Sequence, residues 1–487
     1  MTTTDLQTRN LFIGYSAVIV ISLMVGIAGN WWFLAAVPAA VLFGYLAVVD
    51  FRKIFYVLFF FIPLTVEVWL PNGVVTDMPT EQIAVILTGM YLLYVLRNGK
   101  NMRPDFALHP ISLMLLIHLG WLFFTAITSE DFIISLKFSL AKTWYVTPFY
   151  FLAGSLLKTE KQMRTLTWIV LIPLSFTIIY VLKNFAGYGF SFADVNKVMY
   201  PFYRNKVAFA CMLSIFLPFV WFMRQGYRRF SWPWLLLAAA TALILIGIQF
   251  SYTRAAYVTI AMGIGAYFFI KWRLMKVALS FAAIIAILYA AAMVSHNNYL
   301  DHKPVYEKTI THEDFNDLLN ATTKGQDVST MERVYRWVAA GHMVAERPWL
   351  GWGPGTFTNF YKTYTLAGFR TYVSDNKEGS GIHCYYLMTL VEQGFIGLLL
   401  FVGLVFLVLL KGEIVYHQTK DPSRRRMLLA VLTTTVIIDG LLLINDLVET
   451  DKIGSFFFLC MAVIVNVDLM NRQDLSGNPQ PAQVMQQ

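Results

Sequence analysis

Apolar residues run along this chain in blocks long enough to cross a bilayer, and polar residues gather between the blocks. Blocks near residues 11–29, 31–49, 54–70, 81–96, 108–128, 138–157, 165–186, 205–223, 232–250, 255–270, 277–295, 385–410, 427–446 and 453–470 approach the ~20 residues that a spanning helix needs. The pattern predicts an all-α integral membrane protein with roughly 12–14 transmembrane helices, since each span needs only about 20 residues. The short alternating strands of an outer-membrane barrel are a different pattern from these long runs. The organisation expected is transmembrane helices over 1–295, one large loop over 296–384, further transmembrane helices over 385–470, and a tail over 471–487. From Gln473 onward that tail is rich in Gln, Pro and Asn and reads as disordered.

The loop over 296–384 is the longest polar stretch and holds His296, His302, His312, His342 and His383, five of the eight histidines. A connection of that length should contain short helices. Ser329 and Glu332 have capping-box spacing, and Val334, Trp337, Val338 and Met343 form an apolar stripe, which predicts a helix from Ser329 to Ala345. Pro348 and the run Gly351-Trp352-Gly353-Pro354-Gly355 should end it. That run has no Lys-Ser/Thr after it, so turn-making is expected of it, not phosphate binding.

Composition supports the membrane reading: AVILMFWYC residues are 57% of the 487 and charged residues 14%, against about 25% charged in a soluble globular protein. The net charge of +9, taken alone, points to nucleic acid. The basic residues, however, sit in alternate connections, such as Arg52/Lys53, Lys158/Lys161/Arg164, Arg224/Arg228/Arg229 and Arg424/Arg425/Arg426. This is positive-inside topology, with both termini cytoplasmic and 296–384 facing outward. The charge then needs membrane lipids as neighbours and no nucleic-acid partner. Cys211, Cys384 and Cys460 are too scattered for a disulfide framework or a zinc site, and the histidine spacings match no metal motif. Asp439, inside an apolar run, is costly in lipid and should face protein. The first apolar run lacks a small-residue cleavage site and is expected to be a retained helix.

Three pieces of the chain carry a resemblance. Arg333-Val-Tyr-Arg-Trp337 with His342-Met-Val-Ala-Glu-Arg-Pro348-Trp-Leu-Gly351-Trp-Gly353-Pro354-Gly355-Thr-Phe357 resembles the large periplasmic loop of the O-antigen ligase and polymerase superfamily. His383-Cys-Tyr-Tyr-Leu-Met-Thr-Leu-Val-Glu392-Gln-Gly394-Phe-Ile-Gly397 resembles that family's histidine-led helix start, with Cys384 where the family more often has Asn. Ser251-Tyr-Thr-Arg254-Ala resembles its Ser-x-Ser-Arg-Gly/Ala step. The resemblance implies a GT-C-like glycosyltransferase of the bacterial inner membrane with its site facing the periplasm. It implies an undecaprenyl-diphosphate-linked glycan as donor, a lipid A core, glycan or protein hydroxyl as acceptor, and no metal, nucleotide sugar or other cofactor.

The residues suit that chemistry. A lipid diphosphate leaving group builds charge that arginine forks can meet, and Arg254 and Arg333 lie on the outward side. Arg336, Arg204 and Lys206 extend the positive charge as substrate-binding candidates, with Tyr252 and Glu392 from the matched motifs. A poor hydroxyl nucleophile needs a base near neutral pH, and His383 has the right side chain and depth. No acidic pair at glycosidase-like spacing is evident. From pattern alone, Arg254 also reads as an interfacial anchor, Arg333 and Arg336 as a solvated helix face, His383 as a helix-start hydrogen bonder and Glu392 as a bond between helices. The resemblance selects Arg254, Arg333 and His383 as catalytic. Ligase-like transfer ranks first and a polymerase extending a lipid-linked glycan is the alternative. A transporter of lipid-linked sugar ranks below both, since it should place its sites near the midplane in repeated halves.

Overall fold

A computed structural model describes residues 3–31, 34, 37–69, 75–99, 104–304, 306, 309, 327–376 and 379–476. His312 lies outside them. The chain divides into two compact units, Met1–Phe59 and Phe60–Gln487. The first contains α1 (Thr3–Gly29), α2 (Val37–Asp50) and most of α3 (Arg52–Phe61). There the Tyr15 hydroxyl donates to the Pro38 carbonyl at 3.1 Å and ties α1 to α2.

The expected span over 54–70 is corrected. Helix ends at Phe61, Ile62–Leu64 form a 3-10 turn, and β1 (Val66–Trp69) pairs antiparallel with β2 (Val75–Met78), Val66 opposite Met78. Pro63 has no N–H to continue a helix, and the alternating Val-Glu-Val-Trp fits a strand. The second unit continues with α4 (Thr80–Asn98), α5 (Pro110–Ile127), α6 (Phe132–Val146), α7 (Glu160–Ala186), α8 (Lys206–Arg224), α9 (Trp232–Phe250), α10 (Arg254–Lys271) and α11 (Met275–Val294). Then follow α12 (Val328–Glu346), α13 (Tyr385–Gln418), α14 (Pro422–Leu441) and α15 (Asp451–Ser476). Side chains that accept backbone N–H groups start several of these: Asp131 for α6, Thr159 with Gln162 for α7, Asn205 for α8 and Asp421 for α14.

The protein is an all-α integral membrane protein. Among the described residues, eight helices are by themselves long and apolar enough to cross a bilayer: α1, α5, α7, α8, α9, α11, α13 and α15. Of the other helices at expected spans, α2 with 14 residues and α3 with 10 are shorter, whereas α4, α10 and α14 have 19, 18 and 20 residues. α6 runs on through a π-helical stretch at Thr147–Leu152, where Pro148 has no N–H to donate. An 18-residue stretch of α15 is wholly buried, and α14 packs on α8, α10, α13 and α15. Asp439 of α14 is buried. α15 reaches Ser476, so Gln473–Ser476 are helical and not part of a disordered tail; the remaining tail lies outside the described residues.

Two helix ends depart from the apolar pattern. The run over 427–446 is helical only to Leu441, because the Leu442 carbonyl accepts the Tyr385 N–H at 2.8 Å and the chain then turns into a 3-10 turn at Leu447–Glu449. α13 kinks at Gly394, with φ +69°. The kink lets Phe395 N–H reach the Pro348 carbonyl at 2.8 Å, while Trp352 N–H reaches Val391 O at 3.0 Å. A Cβ at Gly394 would collide with the Trp349 carbonyl, so glycine is required by both space and backbone. α12 begins as expected, but its cap is Asp327, not Ser329: the Asp327 side chain accepts the Thr330 N–H.

Candidate active site

The starts of α8, α10, α12, α13 and α15, and the end of α14, bring a charged cluster together. Arg254, the first residue of α10, donates from Nη2 to Asp327 Oδ2 at 2.8 Å. The same oxygen accepts the Thr330 hydroxyl at 2.6 Å, so Asp327 both caps α12 and ties it to α10. Burial alone would raise the Asp327 carboxyl, but the Thr330 and Arg254 hydrogen bonds outweigh it and hold it below the usual range.

α12 then sets the residues before His383. Arg336 is buried and donates from Nη1 to the Gly381 carbonyl at 3.1 Å, and Trp337 Nε1 donates to the Ile382 carbonyl at 3.0 Å. Glu332, expected in a capping box, instead accepts the Thr371 and Ser374 hydroxyls at 2.5 Å each and pairs with Arg336 at 3.4 Å. This anchors Arg336 from one side while its fork holds the backbone on the other. Arg333 donates from Nη1 to Ser329 O and Oγ at 3.2 and 3.0 Å. The Nε atoms of Arg333 and Arg336 are buried without a hydrogen-bond partner among the described residues.

His383 sits in the left-handed backbone region, φ +56°, with Nδ1 3.9 Å from Asp446 Oδ1. That separation is too long for a hydrogen bond, and Nδ1 has no hydrogen-bond partner among the described residues. A Cβ at Gly381 would collide with Asp446 Oδ2, so only glycine lets the two segments approach this closely. The imidazole pKa is lowered to about 3, first by burial and then by the charges of Arg333, Arg336 and Arg204. It is therefore neutral near pH 7. Burial and the Glu449 charge push the Asp446 carboxyl up, with Arg336 acting against them.

Arg204, exposed at the end of the loop before α8, contributes to the same field around His383. Lys206 Nζ lies 4.0 Å from the Phe192 ring centroid, within electrostatic reach of Arg254 and Asp327. The Tyr252 ring packs edge-on against Phe192 at 5.6 Å, and its hydroxyl donates to the Phe190 carbonyl at 3.1 Å. Tyr252 thus supports the surface on which Lys206 rests. Glu392 stands apart from the cluster. It is buried in α13, where its two oxygens accept the N–H groups of Gly355 and Phe357 at 2.9 and 3.2 Å. Both oxygens thus hold the Gly353-Pro354-Gly355 turn.

The cluster thus brings together Arg204, Lys206, Arg254, Arg333, Arg336 and His383. It adds Asp327 and Asp446, which sequence reasoning missed. Asp327 lay two residues before the expected cap. Asp446 was absorbed into the apolar run over 427–446, although the adjacent Asn445-Asp446 pair at its end marked a break.

Chemically, the arrangement sets several cations around an imidazole whose pKa is lowered, suited to an anionic group next to a proton-accepting nitrogen. Residues 238–402 match the family model described as O-antigen ligase, which places this region in the O-antigen ligase superfamily. Arg254, Arg333, Arg336, His383 and Glu392 fall inside the match, while Arg204, Lys206 and Asp446 fall outside it. No curated protein matches the chain.

Proposed function

We propose that the protein is a ligase-like glycosyltransferase. It moves a glycan from an undecaprenyl-diphosphate carrier to an acceptor hydroxyl at the periplasmic face of the bacterial inner membrane. The observation that carries this reading is the neutral His383 imidazole set within the field of Arg204, Arg333 and Arg336, with Arg254 joined to the same helix α12 through Asp327.

In the proposed reaction the acceptor O–H gives its proton to His383 Nε2 as the oxygen attacks the anomeric carbon. The bond from that carbon to the diphosphate oxygen breaks, and the electron pair leaves with the diphosphate. Arg254 and Arg333 meet the developing charge, where preorganised donors act most strongly. The product has inverted configuration at the anomeric carbon. Nδ1 of His383 faces Asp446, so the carboxylate stabilises the imidazolium as the 3.9 Å separation closes.

Donor binding also strengthens the base. A diphosphate brings negative charge among the arginines that depress His383, and an opposite charge within several ångströms favours the protonated imidazole. Proton acceptance is thereby linked to the presence of the donor, which limits wasteful chemistry in an empty site.

The test is a transfer assay with purified protein, an undecaprenyl-diphosphate oligosaccharide and three acceptors: a lipid A core, a second lipid-linked repeat and a protein. Product on the lipid A core or the protein, lost in His383→Ala and Arg254→Ala, supports ligase-like transfer. Product on the lipid-linked repeat alone makes the protein a polymerase. Donor translocation in liposomes without product on any acceptor overturns both.

A further inference from the structure

α6 lies outside the region that matches the family, yet one face of it is built against that region. Ser135 Oγ donates to the Pro354 carbonyl at 2.9 Å, and Ser139, one turn on, donates to the Ser135 carbonyl at 2.8 Å. Lys142 follows on the same face, at i+7 from Ser135. It is only 5% exposed. A lysine buried in an apolar bundle is costly unless paired, and its partners indicate its use.

Lys142 Nζ lies 2.5 Å from Glu449 Oε1 and donates to the Tyr385 hydroxyl at 3.3 Å. Both partners adjoin the His383–Asp446 pair. Glu449 closes the 3-10 turn that begins just after Asp446, and Tyr385 follows His383 by two residues at the first position of α13. The Phe138, Tyr385 and Phe458 rings surround the ammonium at 5.8, 5.5 and 5.9 Å, a setting that keeps it in place and adds cation–π attraction.

We propose that Lys142 is a positioning residue that locks the Asp446 turn to the start of the His383 helix. It touches no reacting atom; it acts through Glu449 and Tyr385. The turn's own backbone bonds are local, such as Glu449 N–H to Asp446 O at 3.2 Å and Thr450 N–H to Leu447 O at 3.0 Å, while the Tyr385 hydroxyl also bonds Glu449 and the Asp446 carboxyl accepts the His383 N–H. Local bonds shape a turn but do not place it. Lys142 joins both members of the Tyr385–Glu449 contact, and with the His383 N–H to Asp446 and Tyr385 N–H to Leu442 O bonds it sets how near Asp446 stands to the imidazole.

The activity readout rests on the reaction proposed above, so the test pairs it with a structural readout on the full-length protein in detergent. Hydrogen exchange of residues 443–450 and donor kinetics are measured for wild type, Lys142→Met, Glu449→Leu and Glu449→Gln. In Lys142→Met and Glu449→Leu, exchange over 443–450 is expected to rise several-fold. kcat should fall ~10–100-fold with donor KM nearly unchanged, the scale of loss when a reacting group is misplaced by about an ångström. Glu449→Gln keeps an oxygen that accepts from Nζ and should retain most of both properties. Wild-type exchange and kcat in Glu449→Leu overturn the proposal, even if Lys142→Met fails to fold. A wild type without transfer activity, with exchange still raised in the variants, counts against the reaction and leaves the lock in place.

Discussion

Two His–Asp pairs stand at opposite ends of α15, and only one is finished. At the far end, His109 Nε2 meets Asp468 Oδ2 at 3.1 Å while Nδ1 accepts the Ile111 N–H at 3.2 Å. Both side chains are essentially inaccessible, and Asp468 also accepts Arg472 at 2.6 Å and pairs with Lys411 at 3.4 Å. Each polar atom there has work within the fold. At the near end, ~26 Å away by the rise of α15 between Asp451 and Asp468, His383 and Asp446 remain 3.9 Å apart, about 30% and 24% exposed. The first pair caps a helix and holds it to the bundle core. The second pair is left with capacity to bind and move a proton, and cations crowd that pair where they merely balance the first. A satisfied histidine builds structure; an unsatisfied one among like charges is where chemistry can be added.

The sharpest way to break this comparison is to remove each histidine in turn. His383→Ala should lower transfer by ~10³-fold, within the range for a lost general base, with the melting temperature unchanged. His109→Ala should leave activity per folded molecule near wild type and lower stability by ~1–3 kcal/mol, because Asp468 loses a buried partner. Thermal melts and transfer rates on both variants check this. Equal losses of activity would dissolve the distinction.

Arg254→Ala comes next, with an expected loss of ~10²-fold in transfer from removing a preorganised donor to the leaving group. Arg254→Lys keeps the charge but not the fork, and should recover only part of that rate. Donor KM and kcat measured for both separate loss of charge from loss of geometry. Asp446→Asn should have a smaller effect, ~10-fold in kcat. It leaves His383 in place and weakens only the stabilisation of its protonated form. Full activity in Asp446→Asn would mean that the near pair is not a pair.

Much of this was legible in the sequence, for reasons that differ by element. The long apolar runs mark helices because lipid leaves the backbone no other way to satisfy itself, and those over 108–128 and 232–250 fall close to α5 and α9. The run over 54–70 misled because hydrophobicity alone does not separate a helix from a buried turn and strand; Pro63 carried the missing information. Arg254, Arg333 and His383 were singled out through motif order; the structure sets Arg333 among the charges that act on His383 and ties Arg254 to α12 through Asp327. Asp446 and Lys142 were not found, because their meaning is tertiary. Lys142 reads as one basic residue within an apolar run, and only folding shows that it faces Glu449 and Tyr385.

The smallest expected effect is a shift in pH dependence, and its sign is the finest test of the comparison. In the substrate-free protein His383 is lowered to about 3, by burial first and then by Arg333, Arg336 and Arg204. A base with a depressed pKa stays unprotonated as pH falls, so activity that needs the neutral imidazole is lost only well below the ordinary value of ~6.5. kcat/KM reports the free enzyme, and its acid limb should lie far to the acid side. kcat reports the donor complex, where diphosphate charge offsets the arginines, so its limb should lie at higher pH. Arg333→Ala removes one repelling charge and should move the limb of kcat/KM up toward that of kcat, alongside its rate loss. Profiles measured from about pH 2 to 8 on wild type and Arg333→Ala give both limbs. A limb that moves down in Arg333→Ala would mean that the proton acceptor lies outside the arginine field, and His383 would lose its role as base.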